Sequence, residues 1–279
     1  MELLKLFNSY FNFFRFFGIC IQTPGFSKQT KTFSYFSSIF WLFCSFIFLI
    51  LLFFNHRETM RSETVHLIQA LGLHLTHLTV ILETLTTTNK QLYFWQNLKN
   101  IERFYDEEMT EVKLKYIQCK RIVVWKIWIL LATSFLIETI LVINLLLYYE
   151  WIGPIMSDVF TWSLNIVSVM VGRFRHMSHL LVIEILKTHL EIFNNSLVKL
   201  KIKSFLGDKS LIEKLNLIKF RHTHIWELCK SINSCYLWSQ MMNFLINFIR
   251  FTSICYYLYY LIVSGNFFLF FLLLYCLFS

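Results

Sequence analysis

The chain alternates long runs of hydrophobic residues with shorter polar stretches that carry most of its charge. A helix needs about 20 consecutive apolar residues to cross the hydrocarbon core of a bilayer. Five runs reach that length, and a sixth has only 13 residues before the last position, or about 20 Å of helix. The predicted spans are residues 34–54, 65–87, 122–149, 155–186, 235–262 and 267–279. The pattern therefore predicts an all-α integral membrane protein, a multi-span helical bundle with six segments present and the sixth incomplete.

Two segments outside these spans also have helical periodicity. In the N-terminal segment, 1–33, aromatic residues recur at helical spacing, which predicts an amphipathic helix on the inner membrane face, ended by a turn at Pro24-Gly25. The connection 187–234 has apolar residues at the same spacing on both sides of Gly207-Asp208. We therefore expect the fourth and fifth spans to continue as a cytoplasmic helical collar within the bundle formed by 34–279.

Lys and Arg residues are distributed unevenly between alternate connections. The segment before the first span and the connections after the second and fourth spans carry four, seven and nine of them, whereas the other three connections carry two, none and none. Basic residues accumulate in cytoplasmic connections. The N-terminus is therefore predicted to be cytoplasmic, an orientation opposite to that of G-protein-coupled receptors.

Composition supports the membrane prediction and excludes two other classes. The chain is 56% hydrophobic and 15% charged, whereas soluble domains are about 25% charged. The low Gly and Pro content and the unbroken apolar runs argue against a β-barrel. A net charge of +9 would suggest nucleic-acid binding in a soluble protein. Here the basic residues fall between the spans, so no nucleic-acid partner is expected.

Catalytic and metal-binding motifs are missing from the sequence. There is no phosphate-binding loop, dinucleotide fingerprint or nucleophile elbow. His74 and His77 are three residues apart, and His222 and His224 lie near Cys229, but neither set has a further ligand at metal-binding spacing. We therefore predict no enzymatic activity, no cofactor and no metal site.

Ionisable residues within the spans are costly in lipid and usually face the interior of the bundle. We expect Glu138 to pair with Arg250 or to contact a ligand, because both lie near the middle of their spans. Lys126, Arg173 and Arg175 lie near the inner ends, where we expect them to extend to the cytoplasmic interface. A proton-coupled transporter that uses Glu138 remains an alternative function.

Polar and aromatic residues in the outer halves of the spans are candidates for a ligand pocket, because small-molecule sites are apolar cavities with a few polar groups. An interfacial aromatic belt is the alternative for the tyrosines. The candidate ligand-binding residues are His74, Glu138, Asn144, Trp162, Asn165, Tyr257 and Tyr260.

The stretch from His222 to Tyr260 resembles the insect gustatory receptor family, the chemoreceptor group related to odorant receptors. The family typically has a helix with Leu, an Ile-Asn step, a Phe- and Leu-rich membrane helix and a Tyr-containing outer end. Leu228, Ile232-Asn233 and Tyr256-Tyr257 fit that order. The basic N-terminus, its cytoplasmic placement and the long fourth connection are similar as well.

The resemblance implies a seven-span receptor with inverted topology in the plasma membrane. Members of the family act as tetrameric ligand-gated cation channels, so the resemblance implies a taste receptor subunit that binds a small-molecule tastant and assembles with related subunits. The family's Thr-Tyr, five hydrophobics, Gln-Phe motif belongs to the seventh span, and no copy of it occurs here. We therefore expect a truncated chain without the pore helix. An odorant receptor is the alternative within the same superfamily.

Overall fold

The computed structural model describes residues 2–19, 28–56, 64–103, 109–149, 155–205 and 211–263. Within these ranges the side chains at 2–4, 28, 55–56, 64–66, 109, 137–138, 140–149, 155–165, 201–205, 211, 254, 257–258 and 260–262 are not described. Within these ranges the protein is almost entirely α-helical, and no strand occurs. The helices are α1 (Glu2–Phe16), α2 (Lys28–His56), α3 (Thr64–Thr86), α4 (Thr88–Arg103), α5 (Met109–Tyr149), α6 (Ile155–Phe205) and α7 (Leu211–Val263). The two predicted turns and the span predicted at 267–279 lie outside the described residues.

Three of the described helical stretches are long and apolar enough to cross a membrane. They are Gln29–Phe54, Leu67–Thr86 and Ile166–Leu200, with mean hydropathies of 2.5, 1.2 and 1.3. The most apolar stretch, in α2, is only 22% buried by the rest of the protein. Lipid is the solvent that tolerates so much exposed apolar surface, so the all-α membrane fold follows from length, composition and exposure together.

The connection between α3 and α4 is a single residue, Thr87. Its amide donates to the Glu83 carbonyl at 2.9 Å and its carbonyl accepts from the Gln91 amide at 3.0 Å, which is the ordinary α-helical pattern. The hydroxyls of Thr86, Thr87 and Thr88 also donate to carbonyls one turn earlier. Such hydroxyl bonds bend a helix without breaking it. The basic connection after the second predicted span therefore begins as a helix.

The chain forms two compact units, each built from three separate segments. The first unit contains 1–40, 81–125 and 174–237. The second contains 41–80, 126–173 and 238–279. The boundaries between the units fall within helices, so each of five helices contributes residues to both units: α2, α3, α5, α6 and α7.

In the first unit, α1 packs its aromatic face against protein. Phe7, Phe11 and Phe14 are almost fully buried, and the Phe11 ring meets the Trp95 ring edge-on at 5.2 Å. The sequence-based expectation that this face lies on the membrane is wrong, because protein side chains cover it. The amphipathic pattern indicated only that one face of α1 is buried.

The C-terminus of α1 is closed by a glycine and held to α2. Gly18 has a φ of 73°, and the amides of Gly18 and Ile19 donate to the carbonyls of Arg15 and Phe14 at 3.0 Å. This is the Schellman arrangement, which favours glycine at the left-handed position. Hydroxyls of Ser37 and Ser38 on α2 then donate to the carbonyls of Phe16 and Gly18.

Candidate functional site

Two histidines and a serine form a buried polar cluster in the second unit. His74 and His77 are about one turn apart on α3, and Ser168 lies on α6. The Ser168 Oγ is 2.8 Å from His74 Nδ1 and 3.2 Å from His77 Nδ1. The three residues are 1%, 0% and 1% exposed. One hydroxyl therefore bridges two imidazole rings out of contact with solvent.

Aromatic rings of α2 flank this cluster. The Phe48 ring centroid lies 6.1 Å from that of His74 and 6.4 Å from that of His77. The ring centroids of Trp41 and His77 are 6.1 Å apart. The polar atoms are consequently set among apolar rings, an environment in which each hydrogen bond is strong and each unmade bond is costly.

Glycines allow the helices of the second unit to approach closely beside the cluster. A Cβ added at Gly72 on α3 would lie 2.6 Å from the Ile246 Cδ1 on α7. A Cβ at Gly172 on α6 would lie 3.7 Å from the Asn243 Oδ1 and 3.8 Å from the Thr76 Cγ2. Side chains from α3, α6 and α7 therefore converge within one turn of Ser168.

Three buried nitrogens of the second unit lack hydrogen-bond partners among the described residues. They are His77 Nε2, Gln240 Nε2 and Asn243 Nδ2. Buried polar atoms in folded proteins are nearly always paired, so each exception needs an explanation. An unfilled binding site is one such explanation, because a ligand would supply the missing partners.

Of the candidate ligand-binding residues predicted from sequence, the structure places His74 in this cluster. The side chains of Glu138, Asn144, Trp162, Asn165, Tyr257 and Tyr260 lie outside the described residues. Sequence reasoning considered His77 only as a metal ligand and did not identify Ser168. The three-residue spacing of the histidines was the available signal, whereas nothing in the sequence around Ser168 distinguishes it from other serines.

The histidines that the structure describes are not clustered with further metal ligands. No group of three or more His, Cys, Asp or Glu side chains with metal-binding geometry is found in those residues. Both Nδ1 atoms face a serine hydroxyl instead. The arrangement is suited to recognising a polar group by hydrogen bonding.

The first unit contains a separate buried cluster, centred on Arg175 of α6. Its guanidinium Nη2 lies 3.0 Å from the Glu83 Oε2 and donates to the Cys235 carbonyl at 2.6 Å. The guanidinium carbon also lies 4.1 Å from the centroid of the Tyr236 ring. The Arg175 and Glu83 side chains are 0% and 2% exposed. The expectation that Arg175 extends to the cytoplasmic interface is therefore wrong, because a carboxylate 92 positions earlier in the chain holds it inside the protein.

The sequence profile of the 7tm chemosensory receptor family matches residues 7–279. The chain belongs to the 7tm chemosensory receptor family. No curated protein and no solved structure matches it. Membership indicates a membrane chemoreceptor, in agreement with the resemblance read from His222 to Tyr260.

For a chemosensory receptor, the two buried clusters differ in kind. The Arg175 cluster joins α3, α6 and α7, and the protein itself supplies the carboxylate, the carbonyl and the aromatic ring around the guanidinium. The cluster of His74, His77 and Ser168 leaves His77 Nε2 without a partner. The second cluster is therefore the better candidate for binding a ligand of the receptor.

Proposed function

We propose that this chemosensory receptor is a gustatory receptor: a subunit of a ligand-gated cation channel that detects small-molecule tastants. Family membership supports the receptor class. The resemblance of the stretch from His222 to Tyr260 supports the gustatory branch over the odorant branch. The receptor acts in the plasma membrane and assembles with related subunits, as a homo- or heterotetramer.

The observation that carries the proposal is the buried cluster of His74, His77 and Ser168. Small-molecule sites are typically apolar enclosures with a few convergent polar groups. The rings of Phe48 and Trp41 provide the apolar part, and the unpartnered His77 Nε2 provides a polar group that nothing else in the described protein uses. All of these residues belong to the second unit.

Electrophysiology tests this function. The full chain is expressed in cultured cells, alone and together with related receptor subunits, and whole-cell current is recorded during application of water-soluble tastants and volatile compounds. We expect a cation current evoked by one or more soluble tastants. A chain that reaches the cell surface and responds only to volatile compounds would indicate the odorant branch. Accumulation of a ligand inside the cells without current would favour a transporter. In that case Glu138→Gln would abolish the uptake if Glu138 carries the coupled proton.

A matched pair of serine variants tests the site. Ser168→Ala removes the hydroxyl that bridges the two histidines, so we expect at least a tenfold higher half-maximal concentration of the active tastant. Ser45→Ala is the control, because Ser45 is also fully buried in the second unit but donates only to the Leu42 carbonyl of its own helix. Equal effects of the two substitutions at equal surface expression would contradict a role of this cluster in ligand recognition.

A further inference from the structure

The bridging hydroxyl of Ser168 determines which ring nitrogens carry protons. A serine hydroxyl has one proton to donate, so it can donate to only one of the two Nδ1 atoms that it faces. Bonds in which a hydroxyl donates are shorter than those in which a ring N–H donates. We infer from the distances that the 2.8 Å contact to His74 is the hydroxyl donation, which makes the 3.2 Å contact a donation from His77 Nδ1–H to the Ser168 oxygen.

This assignment leaves a lone pair on the other nitrogen of His77. A neutral imidazole carries its proton on one nitrogen and accepts at the other. The rings are neutral because an unpaired charge among apolar side chains is very costly. His77 Nε2 is consequently a hydrogen-bond acceptor, fully buried and unpartnered among the described residues.

A hydrogen-bond donor, the side-chain amide of Asn243 on α7, lies against the same face of α6. The Asn243 side chain meets Gly172, which is four residues after Ser168 and hence about one turn, or roughly 6 Å, further along the helix. The Nδ2 of Asn243 is also buried without a partner among the described residues. The second unit thus offers an unused acceptor on α3 and an unused donor on α7, beside positions that are one turn apart on α6.

We propose that His77 Nε2 accepts a hydrogen bond from a hydroxyl group of a small neutral ligand whose carbon skeleton packs against Phe48 and Trp41. The proposal rests on the proposed function and defines its ligand class. A carboxylate, ketone or ether presents no proton to Nε2 and leaves it unpaired. A further oxygen on the ligand can accept from Asn243 Nδ2, so a compound with two or more oxygens satisfies both groups.

The protonation pattern is tested first, on the full chain in lipid nanodiscs. Histidine is labelled with ¹⁵N, and the His77 signals are assigned by comparison with His77→Gln. We expect an unprotonated Nε2 and a protonated Nδ1 in the ligand-free protein. A protonated Nε2 would overturn the proposal, because that nitrogen would then be a donor.

Ligand class is tested by titrating the same sample with aliphatic alcohols, phenols and polyols, each beside its methyl ether. We expect at least one hydroxyl compound to shift the His77 Nε2 signal and to bind at least tenfold more tightly than its ether. Equal binding of the members of each pair, or binding of none of the compounds, would overturn the proposal.

Two substitutions at the same position separate hydrogen bonding from folding. His77→Gln keeps an acceptor oxygen at similar reach and should retain the preference for the hydroxyl over the ether. His77→Phe keeps an aromatic ring and should reduce that preference at least tenfold. His222→Phe is the control, because His222 is exposed in the first unit and contacts the Phe193 ring.

The outcomes also distinguish this inference from the proposed function. Hydroxyl-selective binding without any evoked current would support the ligand class and count against the channel. An evoked current with no preference between alcohol and ether would support the receptor and count against the role of His77. If a buried water is hydrogen-bonded to Nε2 and none of the probe compounds displaces it, no binding is observed and the proposal is overturned.

Discussion

At the scale of single residues, the charged and polar side chains inside this receptor determine which faces of its helices meet. Arg175 has no exposed surface, yet it has a carboxylate, a backbone carbonyl and an aromatic ring around it. A buried ion pair often contributes little net stability, because desolvation offsets its attraction. Removing one partner is far more damaging, since it leaves the other charge buried and unpaired.

The Arg175–Glu83 pair gives the first prediction. Arg175→Met should lower the stability of the full chain by about 3–5 kcal/mol, because Glu83 keeps its charge in an apolar environment. The double variant Glu83→Leu/Arg175→Met should recover most of that loss. Thermal unfolding in nanodiscs measures both.

Arg173→Met is the control for this pair. Arg173 is half-buried and lies two positions earlier on α6. Its substitution should change stability by no more than about 0.5 kcal/mol, as for partly exposed positions in general. A double variant no more stable than Arg175→Met would show that the charge pair does not account for the effect.

At the scale of the helices, close approach depends on small residues and on aromatic faces. Gly72 lets α7 lie directly against α3 through Ile246, and the aromatic face of α1 packs within the first unit. Small residues at helix contacts are typical of membrane bundles, because backbone proximity replaces the hydrophobic driving force that lipid does not supply.

Two glycines in the second unit give a matched test of helix contact. In Gly72→Ala, the new Cβ lies too close to the Ile246 Cδ1, so we expect a loss of about 1–3 kcal/mol. Adding Ile246→Val removes that methyl group and should restore part of the loss. In Gly172→Ala, the new Cβ makes ordinary contacts, so stability should be unchanged or up to about 1 kcal/mol higher. Thermal unfolding measures the stability of each variant. If Gly172→Ala is as destabilising as Gly72→Ala, the close contact between Gly72 and Ile246 does not account for the loss.

The packing of α1 gives the next prediction. Phe11→Ala should cost about 3–5 kcal/mol, because the ring is fully buried against Trp95. Phe16 is 61% exposed, so Phe16→Ala should change stability by only about 0.5 kcal/mol. Amide hydrogen exchange in α4 reports the difference. Similar exchange in both variants would mean that α1 is held by its surroundings rather than by Trp95.

At the scale of the whole molecule, the unequal distribution of Lys and Arg governs orientation in the membrane. The basic connections alternate with connections that carry almost no positive charge. Positive charge is retained on the cytoplasmic side during insertion. We therefore expect the N-terminus to lie inside the cell.

Orientation gives the last prediction. An epitope fused to the N-terminus should bind antibody only after the plasma membrane is permeabilised. An epitope inserted after Ile152, in a connection without Lys or Arg, should bind antibody on intact cells. The sequence Asn194-Asn195-Ser196 should remain unglycosylated, since it would be cytoplasmic. Antibody binding to the N-terminal epitope on intact cells would contradict the predicted topology and place the N-terminus outside the cell.

The sequence by itself determined the membrane class, the helical fold and the receptor family. These follow from local properties: the length of apolar runs, their 3.6-residue period and a family pattern that extends over residues 7–279. The helical spacing of the aromatic residues in α1 likewise identified a buried face. It could not show whether lipid or protein covers that face, because both are apolar environments.

Only the tertiary structure decided which distant residues meet. Arg175 pairs with Glu83, and Ser168 joins His74 to His77, across more than 90 positions in each case. Such pairs depend on the rotation of each helix about its axis and on its depth beside its neighbours, and a local pattern contains neither quantity. The partners of buried polar groups were therefore beyond sequence reasoning, although the burial itself was expected from their cost in lipid.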